Sequence, residues 1–277
     1  MNVARTVREC LADATALGLD RLDAQLLLGQ VLGRGRAWLH AHDDHPLSDD
    51  QRSQFDRWAA RRRAGEPFAY IVGHKEFHGL DLQVDTRVLV PRPDTEALVD
   101  WALELLGGEL AAVSAPEVVD LGTGSGAIAL AVRQACARSV VTATDASADA
   151  LVVAAANATR LGLTIETCCG SWWQAVADRR FHLALSNPPY IAAGDTHLAA
   201  LTAEPLGALT PGPSGLEALD QIVAQAPRGL EPGGWLLLEH GFDQADAVAA
   251  LLREQGFQQV QTRRDLAGQP RCTGGRR

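Results

Sequence analysis

Apolar positions in the first 64 residues recur mostly at helical spacing. In LDRLDAQLLLGQVLG, Leu22 and Leu26 lie four apart and Leu28, Val31 and Leu32 follow at i, i+3 and i+4, as one buried helix face requires. LSDDQRSQFDRWAARRRAG predicts a further helix, with Ser48 as N-cap, Gln51 as its capping-box partner and Gly65 as its stop. Residues 1–65 therefore read as a small helical bundle. From Glu66 to Val90 the pattern changes to short segments with glycine and aromatics, whose alternation predicts a hairpin linker over residues 66–90.

Residues 91–277 open with PRPDTE and a helical stretch, TEALVDWALELL, and then alternate. PEVVDLG, SVVTATD, LTIETC, FHLALS, GGWLLLEH and FQQVQT read as strands, and GAIALAVRQA, DALVVAAANATRLG, GLEALDQIVAQAPRGL and DAVAALLREQG read as helices. Strands alternating with helices predict the α/β class, a doubly wound, mostly parallel sheet covered on both faces. Such sheets bind ligands beyond the carboxyl ends of their strands.

Composition mainly excludes. At 277 residues, one main domain with a smaller appendage is the expectation. Hydrophobic residues at 47%, charged ones at 21% and no long apolar run argue against a membrane span, and the charges in MNVARTVRECLADATALGLD argue against a secretory leader. The five cysteines offer neither a disulfide framework nor metal spacing, so no metal is expected, a reducing cytoplasm is, and adjacent Cys168 and Cys169 read as packing residues. Net charge is −9, with 12 basic and 13 acidic residues in 1–90 against 13 and 21 in 91–277, a field that repels polyanions. Direct nucleic-acid binding is therefore not expected, and RWAARRR (Arg57 to Arg63) reads as a solvated helix face.

The first candidate chemistry lies in VVDLGTGSGAIAL. Gly122, Gly124 and Gly126, interleaved with Thr123 and Ser125, stand between a strand and a helix, where the backbone must turn tightly and a ligand can approach without meeting a Cβ. Asp120 ends the first strand, and Asp145 ends the second, 25 positions on. A carboxylate at the second position can accept both O–H groups of a ribose, or it can cap the next helix. The dinucleotide fingerprint is G-x-G-x-x-G, whereas here the third glycine comes one residue sooner. That spacing, with Asp120, resembles the motif of class I methyltransferases that use S-adenosyl-L-methionine, and favours methyl transfer over nicotinamide chemistry.

The second is SNPPYI, at the end of the fourth strand of this series. Pro188 and Pro189 fix φ and remove donors, so the turn becomes a stiff array of acceptors flanked by Tyr190. The Asn187 side-chain oxygen and the Pro188 carbonyl would each take one N–H of a planar amine or amide, and alignment would then supply most of the catalysis.

PRPDTE (Pro91 to Glu96), DLGTGSGAIAL, SNPPYI, EPLGAL (Glu204 to Leu209) and LLLEHG (Leu236 to Gly241) together resemble the protein N5-glutamine methyltransferases of peptide chain release factors, over nearly the whole chain. NPPY is shared with nucleic-acid methyltransferases; PRPDTE and LLLEHG supply the discrimination. The resemblance implies a class I (Rossmann-like) methyltransferase domain over 91–277, with an N-terminal helical domain that recognises the substrate. It implies that Gly122, Thr123, Gly124, Ser125 and Gly126 line the S-adenosylmethionine, that Asp145 binds its ribose and that Trp172 packs near its adenine. Asn187, Pro188, Pro189 and Tyr190 would hold the substrate glutamine, with Asn187 also beside the methyl donor. Where the family often has an acid before the tryptophan, GSWW puts Ser171, whose hydroxyl bonds an adenine amine more weakly. The implied partner is a class 1 release factor, presenting the glutamine of its Gly-Gly-Gln motif. An amino methyltransferase acting on adenine or guanine of nucleic acid, and a non-catalytic cofactor-binding module, are the alternatives. The final stretch, RDLAGQPRCTGGRR, resembles the family's last strand only loosely.

Overall fold

The computed structural model describes residues 5–277. The chain forms two compact units that divide between His74 and Lys75.

The first unit holds α1 (Val7–Ala16), α2 (Arg21–Leu32), α3 (Arg36–Ala41), α4 (Asp49–Arg63) and α5 (Phe68–Val72). The capping box at α4 is as expected: Ser48 Oγ accepts the Gln51 amide at 3.2 Å, and Gln51 Oε1 accepts the Ser48 amide at 2.9 Å. Leu27, Leu28, Leu39, Phe55 and Ile71 fill the core. The buried face of α2 is only partly the one expected: Leu28 is buried and Val31 and Leu32 pack, half-buried, against the core. Ala24, Leu27 and Leu28 satisfy the same i, i+3, i+4 rule and point inward, whereas Leu22 and Leu26 are exposed. In the basic stretch Arg61 pairs with Glu66, and Arg62 with Asp23 at 2.8 Å, so half of its four charges are neutralised within the unit.

The region from Glu66 does not begin as a hairpin, because α5 is helical and sends Ile71 into the first core. The hairpin itself is short, β1 (His74–Phe77) and β2 (Leu80–Gln83), turned by His78 and Gly79 at positive φ. Phe77, Leu80 and Leu82 join the core of the second unit.

That unit continues with α6 (Glu96–Gly107), β3 (Glu117–Leu121), α7 (Ala127–Ala135), β4 (Val140–Asp145), α8 (Ala148–Leu161), β5 (Glu166–Cys169), β6 (Phe181–Ser186), α9 (Glu217–Gly229), β7 (Leu230–Glu239), α10 (Ala245–Glu254), β8 (Gln258–Arg264) and β9 (Pro270–Arg276). The sheet order is β5-β4-β3-β6-β7-β9-β8; β5 through β7 run parallel, and β9 is antiparallel to both its neighbours. Along β7, Trp235 and Leu237 pack on the side of α6 and α7, while Leu236 and Leu238 pack against α9 and α10. Both sheet faces are thus covered, the doubly wound arrangement that the alternation predicts. The chain runs outward from β3 to β5 and returns to β6 beside β3, so its direction reverses between β3 and β6. Ligand crevices open at such a reversal.

Asn157, fully buried on α8, locks the hairpin to this frame. Its Oδ1 accepts the Gln83 amide at 2.7 Å, and its Nδ2 donates to the carbonyls of Gln83 and Ser125 at 3.0 and 2.9 Å. Cys168 packs, half-buried, against the core as expected, but Cys169 alternates to the other side of an edge strand and is exposed.

The last segment becomes β9 between two partners, despite two glycines of poor strand propensity. A Cβ on Gly274 would lie 2.4 Å from Leu237 Cδ2 and 2.7 Å from the Leu236 carbonyl oxygen, so only glycine lets the strands approach. Gly274→Ala should therefore cost about 1–3 kcal/mol through overpacking, read as a lower urea midpoint. An unchanged midpoint would contradict this packing.

Candidate active site

A cavity of about 330 Å³ opens at the β3/β6 reversal, within the usual range for small-ligand sites. Of the residues singled out in the sequence, Gly122, Thr123, Gly124, Ser125, Asp145, Ser171, Trp172, Asn187 and Pro189 line it. Gly126, Pro188 and Tyr190 do not.

The glycine loop follows β3 and is folded back on the end of β4. The amides of Gly122 and Thr123 donate to the Thr144 carbonyl at 2.9 and 2.8 Å. Gly122, at φ 82, faces Trp172: a Cβ there would sit 3.0 Å from the indole Cζ3. Trp172 itself has φ 48, an uncommon conformation for so bulky a residue, of the kind that gathers at functional sites. Gly126, at φ 84, is needed for packing instead, since its Cβ would press on Leu130 and Ala154 at 3.0 and 3.2 Å and hold α7 away from α8.

Asp145 is not the cap of the following helix; Ser147 is, with its Oγ accepting the Ala150 amide at 3.2 Å. The Asp145 carboxylate accepts the amides of Gly124 and Ser147, each at 2.9 Å, and so bridges two loops at the cavity wall. Burial raises its pKa, and the two amide bonds oppose the rise. Asp120 lies wholly buried behind the loop. Its Oδ2 accepts Thr123 Oγ1 at 2.6 Å and the Ala129 amide at 3.2 Å, while Oδ1 has no partner. Desolvation lifts its pKa from 3.8 to about 7.

The acceptor turn follows β6. Asn187 Nδ2 donates to Thr95 Oγ1 at 3.2 Å. Among the described residues no hydrogen bond of the chain ends on Asn187 Oδ1 or on the Pro188 carbonyl. Tyr190 is half-buried, and its hydroxyl is directed to Glu239 Oε1 at 3.4 Å. Burial raises the Tyr190 pKa, keeping the phenol protonated. Gln244 steadies the turn from below, donating to the Tyr190 carbonyl at 3.0 Å while its Oε1 accepts the Gly241 amide at 2.8 Å.

Sequence reasoning gave no individual role to residues of PRPDTE and EPLGAL, yet Pro91, Arg92, Thr95, Pro205, Gly207 and Ala208 also line the cavity. Buried Glu204 joins the two segments: it pairs with Arg92 and accepts the Val90 amide at 3.1 Å. An acid followed by proline, far from any strand, was the available signal.

The Asp120 carboxyl makes stability depend on pH with a definite sign. Its pKa is higher folded than unfolded, so its contribution is fully present below about 3.8 and is lost as pH rises through about 7. Relative to Asp120→Asn, the wild type should therefore lose stability between these two values and then level off, as read by urea unfolding across a pH series. A constant difference would mean that Asp120 is not desolvated.

Comparison with known proteins agrees with the resemblance in the motifs. The family model described as PrmC N-terminal domain matches residues 3–73, and that described as Methyltransferase small domain matches residues 95–206. The release factor glutamine methyltransferase of Bordetella pertussis is 50% identical over 272 residues, covering 97% of this chain and 98% of its own. Those of Coxiella burnetii and Pseudomonas aeruginosa are 44% and 46% identical, covering 93% and 92% of this chain and 92% of each relative. Among solved structures, the hMettl16 catalytic domain in complex with a 3'UTR hairpin gives a TM-score of 0.58 at 14% identity, covering 82% of this chain and 80% of that one. A T. thermophilus 16S rRNA methyltransferase in complex with AdoMet and guanosine gives 0.54 at 18%, covering 74% and 49%. These two share the fold, an α/β Rossmann-like methyltransferase. Half of the chain's residues are identical to those of a relative matched almost end to end, and the chain is an enzyme that belongs to the family of the release factor glutamine methyltransferases.

Proposed function

We propose that the protein transfers a methyl group from S-adenosyl-L-methionine to the side-chain amide nitrogen, N5, of the glutamine in the Gly-Gly-Gln motif of class 1 peptide chain release factors. The observation that carries the reading is the pair of free acceptors, Asn187 Oδ1 and the Pro188 carbonyl, on a turn that shares its cavity with the glycine loop.

The donor side fits a nucleoside with a cationic tail. Glycine at position 122 leaves room where a Cβ would push on Trp172. Asp145, its carboxylate fixed by two amides, keeps lone pairs for two ribose hydroxyls. Trp172 would flank the adenine, and the Ser171 hydroxyl, which bonds nothing else among the described residues, would receive its amine. Gly122 through Ser125 would line the rest, with Gly126 acting through helix packing. The buried Asp120 carboxyl, lacking one partner, would ionise more readily beside a cation. When bound, S-adenosylmethionine supplies an electrophilic methyl group on a sulfonium.

On the acceptor side, Asn187 Oδ1 and the Pro188 carbonyl would each accept one N–H of the glutamine amide. That leaves the nitrogen lone pair facing the methyl group. Such alignment can supply up to roughly 7–11 kcal/mol, so no base is needed before transfer, and the proton that the methylated nitrogen then carries in excess would pass to water. Pro189 stiffens the turn, and Tyr190, which does not line the cavity, would anchor it from behind through its hydroxyl on Glu239. The N-terminal helical unit would hold the body of the release factor. An acidic protein suits a protein substrate better than a polyanion, and the expected setting is the cytoplasm. No helix among the described residues is long and apolar enough to cross a membrane.

The test is methyl transfer from labelled S-adenosylmethionine to a purified class 1 release factor, beside a copy with its Gly-Gly-Gln glutamine changed to alanine. Label on the first alone is expected; label on neither, with cofactor still bound, would overturn the substrate. Asn187→Ala should lower turnover on the order of 100-fold or more while cofactor affinity changes little. Unchanged turnover would remove the role given to the turn.

A further inference from the structure

We infer that Thr95 is a positioning residue for the acceptor turn: its hydroxyl holds the Asn187 amide by the nitrogen and thereby turns Oδ1 toward the substrate. The inference rests on the reading that Asn187 Oδ1 receives the glutamine amide.

The two ends of an asparagine amide are nearly equal in size, so sterics does not choose between them; the hydrogen-bond partners do. The choice matters here. An Nδ2 facing the cavity would present two N–H groups to a substrate that itself offers two N–H groups, whereas Oδ1 accepts one of them. Thr95 supplies the only hydrogen bond to this amide among the described residues, at 3.2 Å from Oγ1 to Nδ2.

A threonine hydroxyl can donate or accept, so something must fix its direction too. Thr95 is 4% exposed and closes the short 3₁₀ turn of PRPDTE, Pro93–Thr95, in front of α6. Behind it lies the carboxyl of Glu239, 1% exposed at the carboxyl end of β7, with Oε2 unpartnered. The hydroxyl of Tyr190 is directed to Oε1 at 3.4 Å, that of Thr95 lies close to the carboxyl, and the charges of Arg271 and Asp94 act on it. Arg271 is in turn held by Asp265 at 3.1 Å and by Asp94 at 3.4 Å. Where it carries no proton, the unpartnered Oε2 only accepts, so it draws the Thr95 proton toward itself and leaves Oγ1 lone pairs for Asn187 Nδ2. The sense of the chain is then set from Glu239 through Thr95 to Asn187, and Oδ1 has one direction left. Neither Glu239 nor Tyr190 lines the cavity, so this arrangement acts from behind the wall.

The test compares Thr95→Val, Thr95→Ser, Asn187→Ala and the double variant Thr95→Val/Asn187→Ala, with Thr95→Ala replacing the valine if that one does not fold. Steady-state methylation of a class 1 release factor and equilibrium binding of S-adenosylmethionine are measured for each. Thr95→Val should lower kcat roughly 10- to 100-fold, with cofactor Kd within about twofold of wild type, and Thr95→Ser should recover most of the loss. In the Asn187→Ala background the same valine should cost nothing further, because Thr95 acts through Asn187. Three results would each overturn the inference while leaving the function standing: full kcat in Thr95→Val, a serine variant as poor as the valine one, or losses that multiply in the double variant. Full turnover in Asn187→Ala would instead sink the underlying reading and the inference with it.

Discussion

One carboxylate ties together the loops at the carboxyl end of the sheet. Asp145 accepts the Gly124 amide with one oxygen and the Ser147 amide with the other, tying the loop after β3 to the loop after β4. The glycine loop, with three residues at positive φ, has little intrinsic preference for a single shape, and these bonds, with those to the Thr144 carbonyl, select one. Trp172, whose indole lies against that loop, adopts a left-handed conformation, a strain of order 1–3 kcal/mol. The cavity wall follows from this arrangement.

The topology then separates two tasks. On the proposed reading, the ends of β3 and β4 would take the methyl donor, and the ends of β6 and β7 would take the acceptor. Each side has a wholly buried carboxyl behind its loop: Asp120 behind the glycines, Glu239 behind Asn187 and Tyr190. Desolvation lifts both to about 7, and each keeps one oxygen without a partner. Such groups cost stability, and their placement behind the glycine loop and the turn after β6 fits a role in fixing the direction of neighbouring hydroxyls.

Much of this was legible in the sequence, for physical reasons. Short apolar runs between helical repeats give strand and helix in turn, and parallel strands follow from that alternation. Gly122, Asp145 and Asn187 stood out because their chemistry is local to a strand end. What was hidden depends on distant contacts. Thr95 meets Asn187 across 92 positions, and Glu204 meets Arg92 across 112, so neither partner signals the other. Five leucines on α2 offered two faces of similar spacing, and the core took the one containing Leu27 and Leu28. Gly274 looked unlike a strand residue because its glycine serves the approach of Leu237 and Trp101.

On the proposed reading, Asn187 presents its oxygen to a glutamine amide while Thr95 holds its nitrogen. A crystal structure of the protein with S-adenosylhomocysteine and a peptide containing Gly-Gly-Gln tests it most directly. In that complex the glutamine amide nitrogen is expected within hydrogen-bond reach of Asn187 Oδ1 and the Pro188 carbonyl, with Asn187 Nδ2 still on Thr95. A glutamine bound elsewhere, or an Asn187 whose oxygen has turned to Thr95, would contradict it.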